Sequence, residues 1–175
     1  MNNYYYNLDA QQIDYWKLNP GKSMVIVIPL PEQPPVGQKY GETGLSMTLL
    51  YPLNTRMGLR ETWTESERVG HYSYKTDGDI YYPDGELCKC WRSAQSMPVE
   101  AIRYWGIVTG AGVDKVQNMT GLEISHMFGI NYLSMIDNLL KIIFKNWFNN
   151  RYSKTKKKWT WEDNPYCQIA VLRKG

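Results

Sequence analysis

The chain has 175 residues, of which 43% are hydrophobic and 21% charged, and its formal net charge is +3. This length and balance predict a single globular domain over residues 1–175, and so small a net charge does not by itself indicate a polyanionic partner. No window reaches the ~18 apolar residues of a membrane span, and the first residues lack the pattern of a signal peptide. We therefore expect a cytoplasmic protein that makes no membrane contact.

The first half of the chain predicts one helix and several strands. Residues 8–18 carry apolar side chains near helical spacing and are followed by an Asn-Pro-Gly breaker, which predicts a short helix. Residues 23–30, SMVIVIPL, form a continuous β-branched run that is typical of a buried strand. Further strands are predicted over residues 45–51 and 55–63, joined around Pro52. Two turns are expected, at Asp77-Gly78 and Asp84-Gly85.

Two helices are predicted in the second half. Thr120 can cap a helix over residues 121–128, which Gly129 would end. A longer helix is predicted over residues 134–150, with Ser134 as its N-cap. Its buried face is expected to hold Ile136, Leu139, Leu140, Ile143 and Trp147.

Strands flank these two helices. One is predicted over residues 102–108, followed by turns at Gly110 and Gly112, and another over residues 166–174. The succession of strands with two or three helices predicts an α+β fold.

The cysteines predict neither a disulfide framework nor a metal site. Cys88, Cys90 and Cys167 are an odd number, and Cys88 and Cys90 have one residue between them. Metal-binding pairs usually leave about two to four residues, and only His71 and His126 could complete a site here. We therefore expect ordinary thiols, no metal and no cofactor. The sequence also lacks a G-x-S-x-G elbow, a P-loop and a dinucleotide fingerprint.

A basic and aromatic segment follows the longer helix. No acidic residue occurs between Asp137 and Glu162. Lysines neutralise phosphates and aromatic rings offer faces for bases, so the segment predicts a nucleic-acid surface. The alternative is a solvated loop whose cations are favoured by the helix dipole. The candidate residues are Arg151, Lys154, Lys156, Lys157, Lys158 and Trp159, with Tyr152 and Trp161 nearby.

The stretch RETW suggests a ligand pocket. If residues 55–63 form one strand, Glu61 and Trp63 share one face, and a buried Glu61 needs a partner, for which Arg92 is the candidate. An indole, an arginine and a carboxylate suit a planar hydrogen-bonding ligand such as a nucleobase. The alternative is a buried ion pair that fixes the strand register, with Trp63 in the core. The candidate pocket residues are Arg60, Glu61, Trp63, Trp91 and Arg92.

Five blocks resemble, in the same order, a widespread phage and prophage protein family: MGLRETWTES, YKTDG, CWRSAQSMPVEAIR, IVTGAGVDKVQNMT and WTWEDNPYCQIAVL. The resemblance covers residues 57–175 well and residues 8–35 more weakly. The family is similar to the ASCH domains of the PUA-like superfamily. The resemblance implies a small, mostly antiparallel β-barrel with flanking helices that binds RNA or modified nucleosides.

Some ASCH-like domains are amidohydrolases acting on an acylated cytidine, and others are reported as ribonucleases. The resemblance implies that Lys22 matches the lysine of their signature. Where those enzymes have a threonine and an arginine, this chain has Val25 and Val27, and Phe128 stands in place of a glutamate when the chains are aligned on Gly129. Valine and phenylalanine cannot transfer protons, so the catalytic machinery is incomplete. Lys22 is otherwise interpreted as a solvated lysine at a turn.

Three functions remain open at this point. The first is a phage- or prophage-type module that binds RNA or a nucleotide without catalysis. The second is a residual amidohydrolase or ribonuclease centred on Lys22. The third is a phage accessory protein that binds a host protein and keeps the fold as a scaffold, because a fold does not fix a function. A phage-encoded protein of any of these kinds would act in the host cytoplasm.

Overall fold

A computed structural model describes residues 4–34, 49–65, 72–78, 90–130, 137–155 and 157–175. Within these ranges the chain contains both strands and α-helices, so the predicted α+β class is confirmed. The α-helices are α1 (Ala10–Leu18), α2 (Gly121–Phe128) and α3 (Asp137–Tyr152). The strands are β1 (Tyr4–Asn7), β2 (Met24–Pro29), β3 (Arg56–Arg60), β4 (Trp63–Glu65), β5 (Tyr72–Tyr74), β6 (Tyr104–Lys115) and β7 (Tyr166–Lys174).

Five of these strands form a mixed sheet with the order β1-β3-β6-β7-β2, and β4 pairs with β5 separately. β1 is parallel to β3, and β3 is antiparallel to β6, with Leu59 opposite Tyr104. β2 is antiparallel to β7, with Ile26 opposite Ala170. The strands predicted over residues 23–30 and 166–174 are therefore confirmed, and the structure pairs them with each other.

Contacts divide the chain into two compact units. The first comprises Met1–Lys22, Thr55–Ile107 and Arg173–Gly175, and the second comprises Ser23–Asn54 and Val108–Leu172. β6 begins in the first unit and ends in the second.

The first unit holds α1, which begins with a capping box. The Asp9 side chain accepts from the Gln12 backbone N–H, and the Gln12 side chain accepts from the Asp9 N–H, so two otherwise unpaired donors are satisfied. Gly58 of β3 allows β1 to approach closely, because a Cβ at that position would lie 2.9 Å from Ile102 Cδ1 and 3.0 Å from Tyr5 Cδ1. The helix predicted over residues 8–18 is confirmed.

The second unit buries its core beneath α2 and α3. Thr120 and Glu123 form a capping box at the start of α2, and Gly129 ends the helix at φ 68°, a conformation that glycine adopts without strain. The predicted bounds and both caps of α2 are confirmed. The core includes Val27, Met127, Phe144, Phe148 and Cys167.

The buried face of α3 differs from the predicted one. Leu140, Phe144 and Phe148 are buried, whereas Leu139 is 46% exposed, so its assignment to the core was wrong. Side chains four residues apart lie above one another on a helix, and the row that faces the core begins at Leu140 rather than one residue earlier. Ile143 and Trp147 pack at the edge of this row. Ser134 and Ile136 lie outside the described residues.

Three strand and turn predictions need correction or qualification. β6 continues through Gly110 and Gly112, so the turns predicted there were wrong; neither glycine has a positive φ, and β7 pairs with this strand. The strand predicted over residues 55–63 is interrupted, because Glu61 and Thr62 lie between β3 and β4. Leu49–Tyr51 are not in a strand, and residues 45–48 lie outside the described ranges.

The turn predicted at Asp77-Gly78 is confirmed. A 3-10 helix over Lys75–Asp77 ends at Gly78, whose φ of 115° favours glycine. Asp84-Gly85 lies outside the described residues.

Candidate functional site

Glu61 is the most deeply buried carboxylate among the described residues of the first unit. It follows the last residue of β3 and is 1% exposed. Arg103, which precedes β6, donates from Nε to Glu61 Oε1 at 2.7 Å and from Nη2 to Oε2 at 3.0 Å. Such a two-pronged contact matches the planar guanidinium to the carboxylate and is stronger than a single hydrogen bond. The Thr76 hydroxyl donates to the same Oε2.

Asp77 extends this arrangement towards solvent. Arg103 donates to both Asp77 oxygens, and Lys17 Nζ on α1 lies 2.7 Å from Asp77 Oδ1. The guanidinium of Arg103 lies over two rings, 3.8 Å from the centroid of Tyr74 and 4.8 Å from that of Tyr104. We call Lys17, Glu61, Thr76, Asp77 and Arg103 the Arg103 network.

The charges of the Arg103 network balance, with two cations against two carboxylates. Hydrogen bonds from Arg103 hold the pKa of Asp77 below its usual value, against the opposing effect of partial burial, and Lys17 lowers it further. Burial by itself would lower the pKa of Arg103, but its bonds to Glu61 and Asp77 outweigh that effect and raise it. Each charged side chain of the Arg103 network is paired with one of opposite charge. The network therefore links α1, the residue after β3, the 3-10 helix over Lys75–Asp77 and the residue before β6, and its acids and bases are all paired.

The pH dependence of stability should report on Asp77. Because its pKa in the folded protein is below the usual 3.8, its stabilising effect is complete above about pH 4 and is lost as the pH falls through the lower folded value. We expect Asp77→Asn to be less stable than the wild type near neutral pH, and the two free energies of unfolding to converge under acid. Urea unfolding between about pH 6 and pH 2 measures this. Curves that stay parallel down to pH 2 would contradict it.

Arg92 is not the partner of Glu61, and that prediction was wrong. Arg92 forms an isolated β-bridge with Trp63, and its guanidinium lies 5.0 Å from the centroid of the Trp63 ring. Arg103 is the partner instead: the pairing of Leu59 with Tyr104 brings the residues that follow β3 close to those that precede β6, and the Arg103 side chain reaches Glu61 from there. The sequence marks Arg103 only as a cation in front of a strand, which does not reveal this register.

The other candidate pocket residues are divided between different neighbours. The guanidinium of Arg60 lies 3.9 Å from the centroid of Tyr5 and donates to the Gln95 carbonyl. Trp63 is 3% exposed and packs edge-on against Tyr72. Trp91 is partly buried. Trp63 and Arg92 are thus neighbours, while Glu61 belongs to the Arg103 network.

The indole Nε1 of Trp63 has no hydrogen-bond partner among the described residues, although it is buried. A buried donor without an acceptor costs about 1 to 3 kcal/mol.

The basic segment separates its cations from its aromatic rings. Lys154, Lys157 and Lys158 are exposed, and Lys157 also donates to the Pro31 carbonyl. Trp159 and Trp161 are partly buried and pack against the core of the second unit. Arg151 stays on α3, over the rings of Trp147 and Tyr152, and Lys156 lies outside the described residues.

The residues implied by the enzyme resemblance are placed as follows. Lys22 is exposed, and its backbone N–H donates to the Asn19 carbonyl at the turn after α1. Val25, Val27 and Phe128 are buried in the core of the second unit. The positions at which the enzymes have proton-handling groups are therefore apolar core positions in this chain.

Two of the three cysteines lie in the described part of the chain. Cys167 is buried, which raises the pKa of its thiol, and Cys90 is exposed; Cys88 lies outside the described residues. In the described part of the chain, no cluster of three or more His, Cys, Asp or Glu side chains could hold a metal ion. None of the helices described above is both long and apolar enough to cross a membrane.

A groove of about 380 Å³ lies in the second unit, along β6 and β7. It is lined by Gly110–Asp114, Glu123, Ile169 and Val171. None of the predicted ligand residues lines it, and its two carboxylates would repel a phosphate.

Comparison of the chain with protein-family models, curated proteins and solved structures finds no match.

Proposed function

We propose that this chain is a phage- or prophage-type ASCH-like module, with a PUA-like barrel as its fold, that binds RNA or a nucleotide without catalysis. The observation that carries the proposal is the exposed lysine cluster Lys154, Lys157 and Lys158 between α3 and β7. None of these three side chains forms an ion pair within the described ranges. Lysines that lack a carboxylate partner and lie on one short segment suit the phosphates of a nucleic acid.

The surrounding side chains support this interpretation. Glu162, the first acidic residue after the cluster, is paired with Lys145 at 2.7 Å. The Tyr152 hydroxyl donates to the Val27 carbonyl at 2.6 Å, and the ring of Trp161 lies edge-on to Phe144. The aromatic side chains therefore anchor the segment to the core, while the lysines point to solvent.

Since the lysines of this segment face solvent while its aromatic rings pack against the core, its contacts with a nucleic acid would be made to phosphates. Phosphate contacts position a nucleic acid but carry no sequence information. Binding through the lysine cluster should accordingly depend strongly on salt and weakly on sequence. Arg92, which is exposed beside the buried Trp63 ring, is the candidate base contact of the same proposal.

The direct test is fluorescence anisotropy with labelled single-stranded RNA, single-stranded DNA and duplex DNA at several salt concentrations. We expect binding that weakens with salt, and a triple variant with Lys154, Lys157 and Lys158 changed to Gln that binds less tightly. Three lost phosphate contacts should reduce the slope of log affinity against log salt by about 2 for single strands.

The matched control carries Lys75, Lys115 and Lys141 changed to Gln, which removes the same charge from other places. Equal losses in the two triple variants would mean that net charge, rather than the cluster, drives binding. If no nucleic acid binds at low salt, the proposal is wrong, and a host protein becomes the partner to seek.

A further inference from the structure

Arg56 and Trp105 form a cation–π pair in the first unit. Arg56 begins β3 and is exposed, and its guanidinium carbon lies 4.2 Å from the centroid of the Trp105 ring. The antiparallel pairing of β3 with β6 brings them together, since Gly58 is opposite Trp105 and Arg56 is opposite Ile107.

The Trp105 ring is held in place by packing against buried residues of the first unit. It is partly buried and packs against the small core that contains Trp63, Met97 and Ile102. Its backbone carbonyl accepts from the Gly175 N–H at 3.4 Å. The ring thus supports Arg56 from the protein side and leaves the guanidinium at the surface, in contrast to the rings of the basic segment, which face the core.

The cations around this pair are not neutralised. Among the residues that the structure describes, Arg56 has no carboxylate partner, and neither has Arg173 or Lys174, which are exposed near the end of β7. Arg103 and Lys17 of the same unit, by contrast, are both committed to carboxylates. Arg56, Arg173 and Lys174 therefore leave a positively charged surface, on which the guanidinium of Arg56 is a planar cation.

We propose that the Arg56–Trp105 pair is a base-stacking contact for single-stranded nucleic acid, with Arg173 and Lys174 as neighbouring phosphate contacts. This inference rests on the proposed function and adds to it a chemical distinction, since the lysine cluster contacts phosphates alone. Bases stack on guanidinium planes as well as on aromatic rings, and this stacking is tolerant of sequence. The Arg56 side chain can offer that plane because Trp105 supports it.

The test compares two probes of equal length and charge. One is an oligoadenylate of about 12 nucleotides, and the other is an abasic ribose-phosphate oligomer that has no bases. The decisive variant is Arg56→Lys, which keeps the charge but removes the plane. Since Arg56 is exposed at the start of its strand, this change leaves the core intact.

We expect Arg56→Lys to weaken the binding of oligoadenylate about tenfold and to leave the binding of the abasic oligomer unchanged. Trp105→Leu, checked for folding by circular dichroism, should have the same selective effect, whereas Trp105→Phe should retain part of the affinity. Equal affinities of Arg56→Lys and the wild type for oligoadenylate would overturn the inference, as would equal losses for both probes.

The triple lysine variant separates this inference from the proposed function. It should weaken the binding of both probes by the same factor, because it removes phosphate contacts alone. If it does so while Arg56→Lys has no effect, the proposed function stands and the stacking contact is wrong. If the wild type binds neither probe, both are wrong.

Discussion

Arg103→Ala should lower the free energy of unfolding by about 3 to 5 kcal/mol. The substitution leaves Glu61, which is 1% exposed, without the guanidinium that now contacts both of its oxygens. An isolated buried carboxylate must either be protonated or draw in water, and both cost free energy. Urea denaturation followed by circular dichroism measures the loss.

Arg92→Ala is the matched control, because it removes the arginine that the sequence favours as the partner of Glu61. Arg92 is exposed and contacts the Trp63 ring, so its removal should cost less than about 1 kcal/mol. A double-mutant cycle between Glu61→Gln and Arg103→Ala should give a large coupling energy, and one between Glu61→Gln and Arg92→Ala should give almost none. The reverse order of coupling would contradict the register between β3 and β6.

Phe144→Ala should destabilise the protein by a similar amount, about 3 to 5 kcal/mol. Phe144 is fully buried in the second unit, and its ring contacts Trp147, Phe148 and Trp161. Alanine would leave a cavity between α3 and the segment that carries the lysine cluster. The free energy of unfolding measures the loss.

Leu139→Ala tests the same helix on its other side. Leu139 is 46% exposed, and alanine is as good a helix former as leucine, so the change should stay within about 0.5 kcal/mol. If Leu139→Ala were the more damaging of the two, the core-facing row of α3 would be the one predicted from the sequence.

Local signals were enough to predict α1, α2 and the two long apolar strands. α2 illustrates why: Thr120, Glu123 and Gly129 satisfy or end the backbone hydrogen bonds within a few residues, so no distant part of the chain is needed. In β2 the β-branched run is itself the signal, because most of that strand is buried, and β7 buries Cys167, Gln168, Ala170 and Leu172.

Features that depend on distant pairing could not be predicted. β1 is a run of tyrosines whose strand character comes from its parallel alignment with β3, more than fifty residues away. Arg103 finds Glu61 only because Leu59 and Tyr104 are paired across the sheet. Local propensity carries no information about such a register.

The basic and aromatic segment was treated as one surface because its residues are mixed in the sequence. In the structure its aromatic rings pack against the core and its lysines face solvent. Alternation of this kind has no fixed period outside helices and strands, so the two sets cannot be separated from the sequence alone.

The antiparallel pairing of β2 with β7 also delays sheet formation during protein synthesis, because β2 cannot pair until β7 has been made. Residues 30–165 lie between the two strands, and at about 5 to 20 residues per second a ribosome needs roughly 7 to 27 s to make them. Throughout that interval Met24–Pro29, an apolar β-branched run, has no strand to pair with. The nascent chain therefore carries an aggregation-prone segment for most of its synthesis, and we expect it to depend on chaperones that bind such segments at the ribosome.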